Sequence, residues 1–279
     1  MSDDVTVHGL LAEGRGRLAN LHQGPLEAEV LLFHVLGVDR AWLYANGEKA
    51  VSADKRDRYV ELIERRTMGE PIAYLTGVRE FWSLPIEVTP DVLIPRPETE
   101  LLVETALDLL PTEKPCRVAD LGTGSGAVAL AIASERPLWE VHATELSLAA
   151  LTVARKNAES LLPGRVQFHE GSWLDPLQGR FDLLVSNPPY VAEGDRHLDN
   201  GDCRFEPRLA LTPGSDGLHA IRRISSDAVK YLKSGGCLAF EHGFDQGTEA
   251  RAVLDGLRYA DVETRRDLEN RERVTLGYR

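Results

Sequence analysis

The sequence contains few cysteines and no long apolar segment. Its three cysteines, Cys116, Cys203 and Cys237, lie far apart, and none belongs to a Cys-x-x-Cys pair or to a cluster with histidines. This spacing predicts free thiols in a reducing compartment and no metal site. No apolar run approaches the roughly 18 residues that a membrane-spanning helix requires, and residues 1–4 are acidic where a signal peptide is basic. We therefore expect a cytoplasmic protein that does not bind a membrane.

Basic residues are also in the minority. Lysine and arginine number 32 against 44 aspartates and glutamates, which gives a net charge of -12. The protein as a whole therefore has no positive field with which to hold nucleic acid. Its 43% hydrophobic and 27% charged residues exclude a disordered or collagen-like chain, and its 279 residues fit one large domain or two unequal ones.

The apolar spacing predicts where the chain divides. Up to residue 77 apolar residues recur at helical intervals, as at Val7, Leu10 and Leu11, which predicts a small all-helical domain over 1–77. Between residues 78 and 97 the pattern becomes alternating and four prolines exclude a helix. We interpret 78–97 as a β-hairpin linker.

Strands and helices alternate through the remaining residues, 98–279, which predicts an α/β domain with a mostly parallel sheet. The last two segments are separated only by a tight turn, so we expect them to pair antiparallel at the edge of the sheet. The predicted strands cover residues 117–121, 140–145, 166–169, 181–186, 237–241, 261–266 and 273–278.

A glycine-rich turn follows the first of these strands and leads directly into an apolar helix. Its sequence is Gly122-Thr123-Gly124-Ser125-Gly126. Glycines let a ligand approach the backbone, and the helix N-terminus attracts an anion, so the turn predicts a nucleotide-like cofactor. It also satisfies the dinucleotide fingerprint, with Glu145 at the distance expected of a ribose ligand. By itself the turn does not choose between cofactors.

A second turn, Asn187-Pro188-Pro189-Tyr190, ends the strand over 181–186. Two consecutive prolines remove two N–H donors, so this segment offers mainly acceptors. The side-chain oxygen of Asn187 and the carbonyl of Pro188 can accept both hydrogens of a planar amino group, while Tyr190 packs on the flat group that carries it. Parallel strands present their ligands at this edge, so we expect the amino group to face the cofactor.

Together the two turns resemble class I S-adenosylmethionine-dependent methyltransferases that act on planar nitrogen. Further segments make the chain similar to the branch that methylates glutamine, the peptide chain release factor glutamine methyltransferases. The resemblance extends from about residue 70 to the C-terminus. These segments are Glu80-Phe81-Trp82, Ile94-Pro95-Arg96-Pro97-Glu98-Thr99-Glu100, Arg204-Phe205-Glu206-Pro207 and residues 269–277.

The resemblance implies a Rossmann-like seven-stranded fold and methyl transfer from S-adenosylmethionine to the glutamine of a Gly-Gly-Gln motif in class I release factors. It implies that Asn187, Pro188 and Tyr190 are catalytic and that these residues and Pro189 bind substrate. One departure is visible, because the family usually has aspartate where this chain has Glu145. The residues implied to bind cofactor are Gly122, Thr123, Gly124, Ser125, Gly126, Glu145, Trp173 and Asn187.

Three other functions fit parts of the pattern. An adenine or guanine N-methyltransferase would use the same acceptor pair, but the acidic charge balance argues against a nucleic-acid substrate. A dehydrogenase explains only the glycine-rich turn, and a non-catalytic binding module gives no reason to pair a cofactor turn with a turn that orients a nitrogen. For a release factor substrate we expect the helical domain to dock the protein and the segment over 204–207 to form a flap over it.

Overall fold

The computed structural model describes residues 5–199 and 201–279, so the acidic residues 1–4 lie outside the described part. The chain divides into two units, of which the first ends at Gly77 and the second extends from Val78 to Arg279. No helix in the described ranges is both long enough and apolar enough to cross a membrane.

The first unit is helical, as predicted. The Thr6 hydroxyl accepts a hydrogen bond from the Gly9 amide at 3.1 Å and caps the first helix. The second helix ends at Gly37, whose φ of 70° is the left-handed conformation that glycine adopts easily. The helices bury their apolar faces around side chains such as Leu31 and Leu62, which are fully buried. The helices are α1 (Val7–Arg17), α2 (Gly24–Leu36), α3 (Arg40–Ala45), α4 (Ala53–Thr67) and α5 (Ile72–Thr76).

The second unit is built on a two-stranded hairpin and a seven-stranded sheet. The hairpin consists of β1 (Val78–Phe81) and β2 (Leu84–Glu87). The strands of the sheet are β3 (Arg117–Leu121), β4 (Glu140–Glu145), β5 (Val166–Glu170), β6 (Phe181–Ser186), β7 (Leu232–Glu241), β8 (Ala260–Arg266) and β9 (Glu272–Tyr278). They lie in the order β5-β4-β3-β6-β7-β9-β8, and every neighbouring pair from β5 to β7 is parallel. The mostly parallel α/β sheet is therefore confirmed.

The two closing strands pair antiparallel at the edge, but their order adds a detail that the sequence did not reveal. β9 lies between β7 and β8 and is antiparallel to both. The strand that runs against the sheet is thus second from the edge, and β8 is the edge strand. Burial explains the order, because Val274 and Leu276 of β9 are fully buried, whereas β8 is mostly exposed or half-buried.

Helices pack against this sheet and complete its core. Phe181 and Phe240 are buried among side chains of α10 and α11, including Ile221 and Leu254. The segment between residues 191 and 217 contains two short 3₁₀ turns, Arg196–Asp199 and Gly201–Phe205, followed by one turn of α-helix. The helices are α6 (Glu100–Leu109), α7 (Ala127–Glu135), α8 (Leu148–Leu161), α9 (Arg208–Leu211), α10 (His219–Tyr231) and α11 (Gly247–Gly256).

The Asn157 side chain of α8 connects the hairpin to the glycine-rich turn. The Asn157 side-chain amide donates to the Glu87 carbonyl at 2.9 Å and accepts from the Glu87 amide at 2.8 Å. A second bond from the same nitrogen, also 2.9 Å long, reaches the Ser125 carbonyl in the glycine-rich turn. The hairpin that we interpreted as a linker is therefore fixed beside that turn.

Candidate active site

A cavity of about 460 Å³ opens at the carboxyl ends of β3, β4 and β6. β4 lies on one side of β3 and β6 on the other, so the strand order reverses at β3. Such a reversal forms the ligand crevice in open α/β sheets. The Ser186 hydroxyl donates to the Leu121 carbonyl at 2.7 Å and thereby joins the ends of β6 and β3. Both predicted turns thus reach the same cavity.

The glycine-rich turn forms one wall. The amides of Gly122 and Thr123 both donate to the Thr144 carbonyl, each at 2.9 Å, which folds the turn against the end of β4. Gly122 has a φ of 73°, and a Cβ atom on it would lie 2.8 Å from the Trp173 ring. Four of the five predicted turn residues line the cavity, while Gly126 precedes α7 and is not part of the lining.

Trp173 itself lines the cavity and packs on Gly122. Its φ of 48° lies in the left-handed region, which is strained for a bulky residue. The structure therefore positions the indole at the cavity wall.

Glu145 ends β4 and also faces the cavity, but its carboxylate contacts backbone. One oxygen accepts from the Gly124 amide and the other from the Ser147 amide, each at 2.9 Å. The longer side chain thus reaches back to the glycine-rich turn and to the start of α8. Since each carboxylate oxygen has two acceptor sites, one on each remains for a ligand hydroxyl.

Asp120 is a buried carboxyl group in the cavity wall. It precedes the glycine-rich turn, is 2% exposed and accepts the Thr123 hydroxyl at 2.6 Å. Burial raises its pKa to about 7, an effect that the Thr123 hydroxyl and the Ala129 amide oppose and the charge of Glu145 increases. A cationic ligand group in the cavity would favour its ionised form.

The Asn-Pro-Pro-Tyr turn contributes two lining residues, Asn187 and Pro189. Asn187 Nδ2 donates to the Thr99 hydroxyl oxygen at 3.1 Å, which directs its acceptor, Oδ1, away from Thr99. Pro188 is buried and Tyr190 donates its hydroxyl to Glu241 at 3.1 Å; neither lines the cavity. Asn187 Oδ1 can therefore orient an N–H donor in the cavity, while the bond to Glu241 fixes Tyr190 at the end of the turn.

The expected flap segment carries a buried carboxylate. Glu206 accepts the Ile94 amide at 3.0 Å and forms an ion pair with Arg96, whose side chain is 30% exposed. Pro207 next to it lines the cavity, as does Pro95 beside Arg96. Arg96 therefore connects two segments of the cavity rim.

Sequence reasoning did not single out Thr99 or Glu241. Thr99 lies in the segment over 94–100 that carries part of the family resemblance. Its contact with Asn187 spans 88 positions, and no local sequence pattern reveals a contact over that distance. Glu241 had a usable signal, because it is an acidic residue at the end of an apolar strand, as Glu145 is.

Known proteins match the chain over nearly its full length. The family model of the PrmC N-terminal domain matches residues 9–77, and that of the methyltransferase small domain matches residues 97–202. A release factor glutamine methyltransferase of Burkholderia pseudomallei is 53% identical, covering 90% of this chain and 91% of its own.

The release factor glutamine methyltransferase of Escherichia coli is 48% identical, covering 90% of this chain and 91% of its own. Among solved structures, the hMettl16 catalytic domain in complex with an RNA hairpin matches with a TM-score of 0.57 at 16% identity, over 81% of this chain and 82% of that one. That likeness shows the fold alone. The sequence identities show more: the chain belongs to the release factor glutamine methyltransferase family.

Proposed function

We propose that the protein transfers a methyl group from S-adenosylmethionine to the side-chain amide nitrogen of the glutamine in the Gly-Gly-Gln motif of class I peptide chain release factors. The observation that carries the proposal is Asn187 at the cavity, where the bond from its Nδ2 to Thr99 leaves Oδ1 to accept an N–H of the substrate. The names of the relatives, 48–53% identical, support the same substrate. Because these factors act in translation termination, we place the enzyme in the cytoplasm.

The cavity residues fit S-adenosylmethionine. The volume of the cavity is within the range of about 300–1,000 Å³ typical of small-molecule sites. Gly124 lines the cavity with no other atom within 4 Å of where a Cβ would lie, which permits close approach of a ligand to the backbone, and Asp120 supplies a buried carboxyl group for a cationic amine. Glu145 retains acceptor sites for the ribose, and Trp173 offers a flat surface for the base. When bound, this cofactor supplies the electrophilic methyl group.

The task of the protein is positioning. An amide nitrogen is a poor nucleophile because its lone pair is delocalised, so the reaction depends on an in-line approach to the methyl group. Asn187 Oδ1 and the Pro188 carbonyl accept the two amide hydrogens and stabilise the positive charge that develops on nitrogen. The methylated amide is then so acidic that water removes its extra proton, and no dedicated base is required.

The cofactor assignment gives a prediction for proton release. Asp120 has a pKa of about 7, so near pH 7 about half of the molecules carry a proton there. A cofactor cation beside Asp120 lowers that pKa, and binding is expected to release roughly half a proton. Calorimetry at pH about 7 in two buffers of different ionisation enthalpy should give different apparent binding enthalpies.

The Asp120→Asn variant is the matched comparison, since it keeps the shape of the side chain and cannot titrate. It should bind S-adenosylmethionine more weakly and with no dependence on the buffer. Buffer-independent heats in the wild type would contradict the role of Asp120. Saturable binding of NAD instead of S-adenosylmethionine would contradict the cofactor.

Mass spectrometry tests the function itself. Purified class I release factor is incubated with the protein and methyl-labelled S-adenosylmethionine, and the tryptic peptide with the Gly-Gly-Gln motif is fragmented. We expect one added methyl group on the glutamine side chain. A release factor in which this glutamine is alanine is the control and should stay unlabelled. Label in an exocyclic amino group of nucleic acid, with unmodified release factor, would support the nucleic-acid enzyme instead.

A further inference from the structure

Glu241 is a buried acidic side chain next to the proposed acceptor turn, and the mechanism above does not use it. It is the last residue of β7 and only 1% exposed. β6 and β7 are parallel, with Ser186 opposite Phe240. The residue after Phe240 therefore lies beside the residue after Ser186, so Glu241 and Asn187 occupy matching positions on adjacent strands.

The carboxyl group of Glu241 is linked to both ends of the Asn-Pro-Pro-Tyr turn, directly to Tyr190 and through Thr99 to Asn187. Oε1 accepts the Tyr190 hydroxyl at 3.1 Å. The Thr99 hydroxyl stabilises the ionised carboxylate, and the same hydroxyl oxygen accepts Asn187 Nδ2 at 3.1 Å. Oε2 has no partner at ordinary hydrogen-bond geometry among the described residues. Such a buried oxygen is costly, and Thr99 is the side chain that both lowers the pKa of this carboxyl group and bonds to Asn187.

The direction of these hydrogen bonds follows from the charge of Glu241. An ionised carboxylate only accepts, so the Thr99 hydroxyl donates to it and leaves its oxygen lone pairs for Asn187. Asn187 must then present Nδ2 to Thr99 and Oδ1 to the cavity. A neutral group with a donor hydrogen at position 241 removes this constraint, because the Thr99 proton then competes for Asn187 Oδ1.

We propose that Glu241 is a positioning residue that acts through Thr99 and Tyr190 to hold Asn187 with its acceptor oxygen toward the methyl-accepting nitrogen. The inference rests on the proposed function for its kinetic consequence, but the hydrogen-bond network is a property of this chain whatever its substrate. Glu241 touches neither substrate nor cofactor in this role.

The ionisation of Glu241 gives the proposal a pH dependence. Burial raises its pKa to about 6, opposed by the Thr99 and Tyr190 hydroxyls and by the charge of Arg273, and increased by the charge of Glu98. The active, ionised form is therefore lost as the pH falls through about 6. The same burial makes the charge unfavourable for folding at higher pH, so a neutral isostere should not lower the melting temperature there.

Kinetics of Glu241→Gln provide the first test. At saturating S-adenosylmethionine and pH about 7.5, kcat should fall roughly 10- to 100-fold, the usual cost of losing a residue that orients a functional group. KM for release factor and the affinity for S-adenosylmethionine should stay within about threefold. The decline of kcat below pH about 6 should be present in the wild type and absent in the variant. Glu249→Gln, at an exposed site on α11, is the matched control and should behave as wild type.

Nuclear magnetic resonance provides a second test that does not depend on the substrate. With ¹⁵N-asparagine-labelled protein, the Asn187 side-chain signals are assigned by their loss in Asn187→Ala. They should shift with a midpoint near pH 6 in the wild type and not in Glu241→Gln. The proposal is overturned if the Asn187 signals do not titrate or if Glu241→Gln keeps the wild-type kcat. It is also overturned if the loss of kcat in Glu241→Gln comes with a lower melting temperature and weaker cofactor binding. A wild-type protein that leaves release factor unmethylated while Asn187 titrates would refute only the proposed function.

Discussion

Replacing Asn187 by alanine is expected to reduce release factor methylation by roughly 10³-fold or more while sparing the fold. Loss of one preorganised hydrogen-bonding group at a reacting centre costs about 10²- to 10³-fold in kcat, and here the same group also orients the nucleophile, which adds to the loss. Asn187 is half-buried and, among the described residues, its side chain bonds to Thr99 and to no strand of the sheet, so its removal leaves the sheet intact. The measurement is kcat for intact release factor, with thermal unfolding as the check on folding.

Two further measurements make this result specific. The melting temperature of Asn187→Ala should remain close to that of the wild type. Asn187→Asp is the informative comparison, because aspartate keeps an acceptor oxygen but has no hydrogen to donate to Thr99 and adds a negative charge near Glu241. It should therefore also be severely impaired. Turnover near the wild-type rate in either variant would refute the proposed arrangement of acceptors.

The convergence of the two turns was predictable from the sequence for a simple physical reason. Parallel strands bring their carboxyl ends to one edge of the sheet, so the residues that follow 117–121 and 181–186 were expected at the same edge. The structure adds that these two strands are adjacent and that Gly122 and Asn187 line one cavity.

The side-chain contacts that position the residues of the site were not predictable. Thr99 reaches Asn187 across 88 positions and Glu206 reaches Arg96 across 110. Neither pair leaves a local pattern in the sequence. The position of β9 between β7 and the edge strand β8 was not predictable either. A tight turn specifies that the two strands pair antiparallel, but it does not specify which of them forms the edge. Such details follow from how much apolar surface each strand buries, which is decided by the whole fold.

Removal of the helical unit is expected to weaken the methylation of intact release factor by on the order of 10²-fold in kcat/KM. A folded protein substrate must be held by more than its reacting side chain. Every described residue that lines the cavity lies between Phe81 and Arg223, so we expect the chemistry itself to proceed without the helical unit. The loss should appear in KM and not in kcat, as expected for binding that is equal in the ground and transition states.

The fragment should begin at Val78, because β1 starts there and a later cut would remove hairpin residues beside the glycine-rich turn. Cooperative thermal unfolding and S-adenosylmethionine binding by the fragment establish that it folds. A short Gly-Gly-Gln peptide is the control substrate, since it has no remote surface to dock, and both proteins should methylate it with similar efficiency. If the fragment modifies intact release factor as well as the full chain does, the helical unit does not dock the substrate. If it fails equally on the peptide, the unit instead supports the catalytic site.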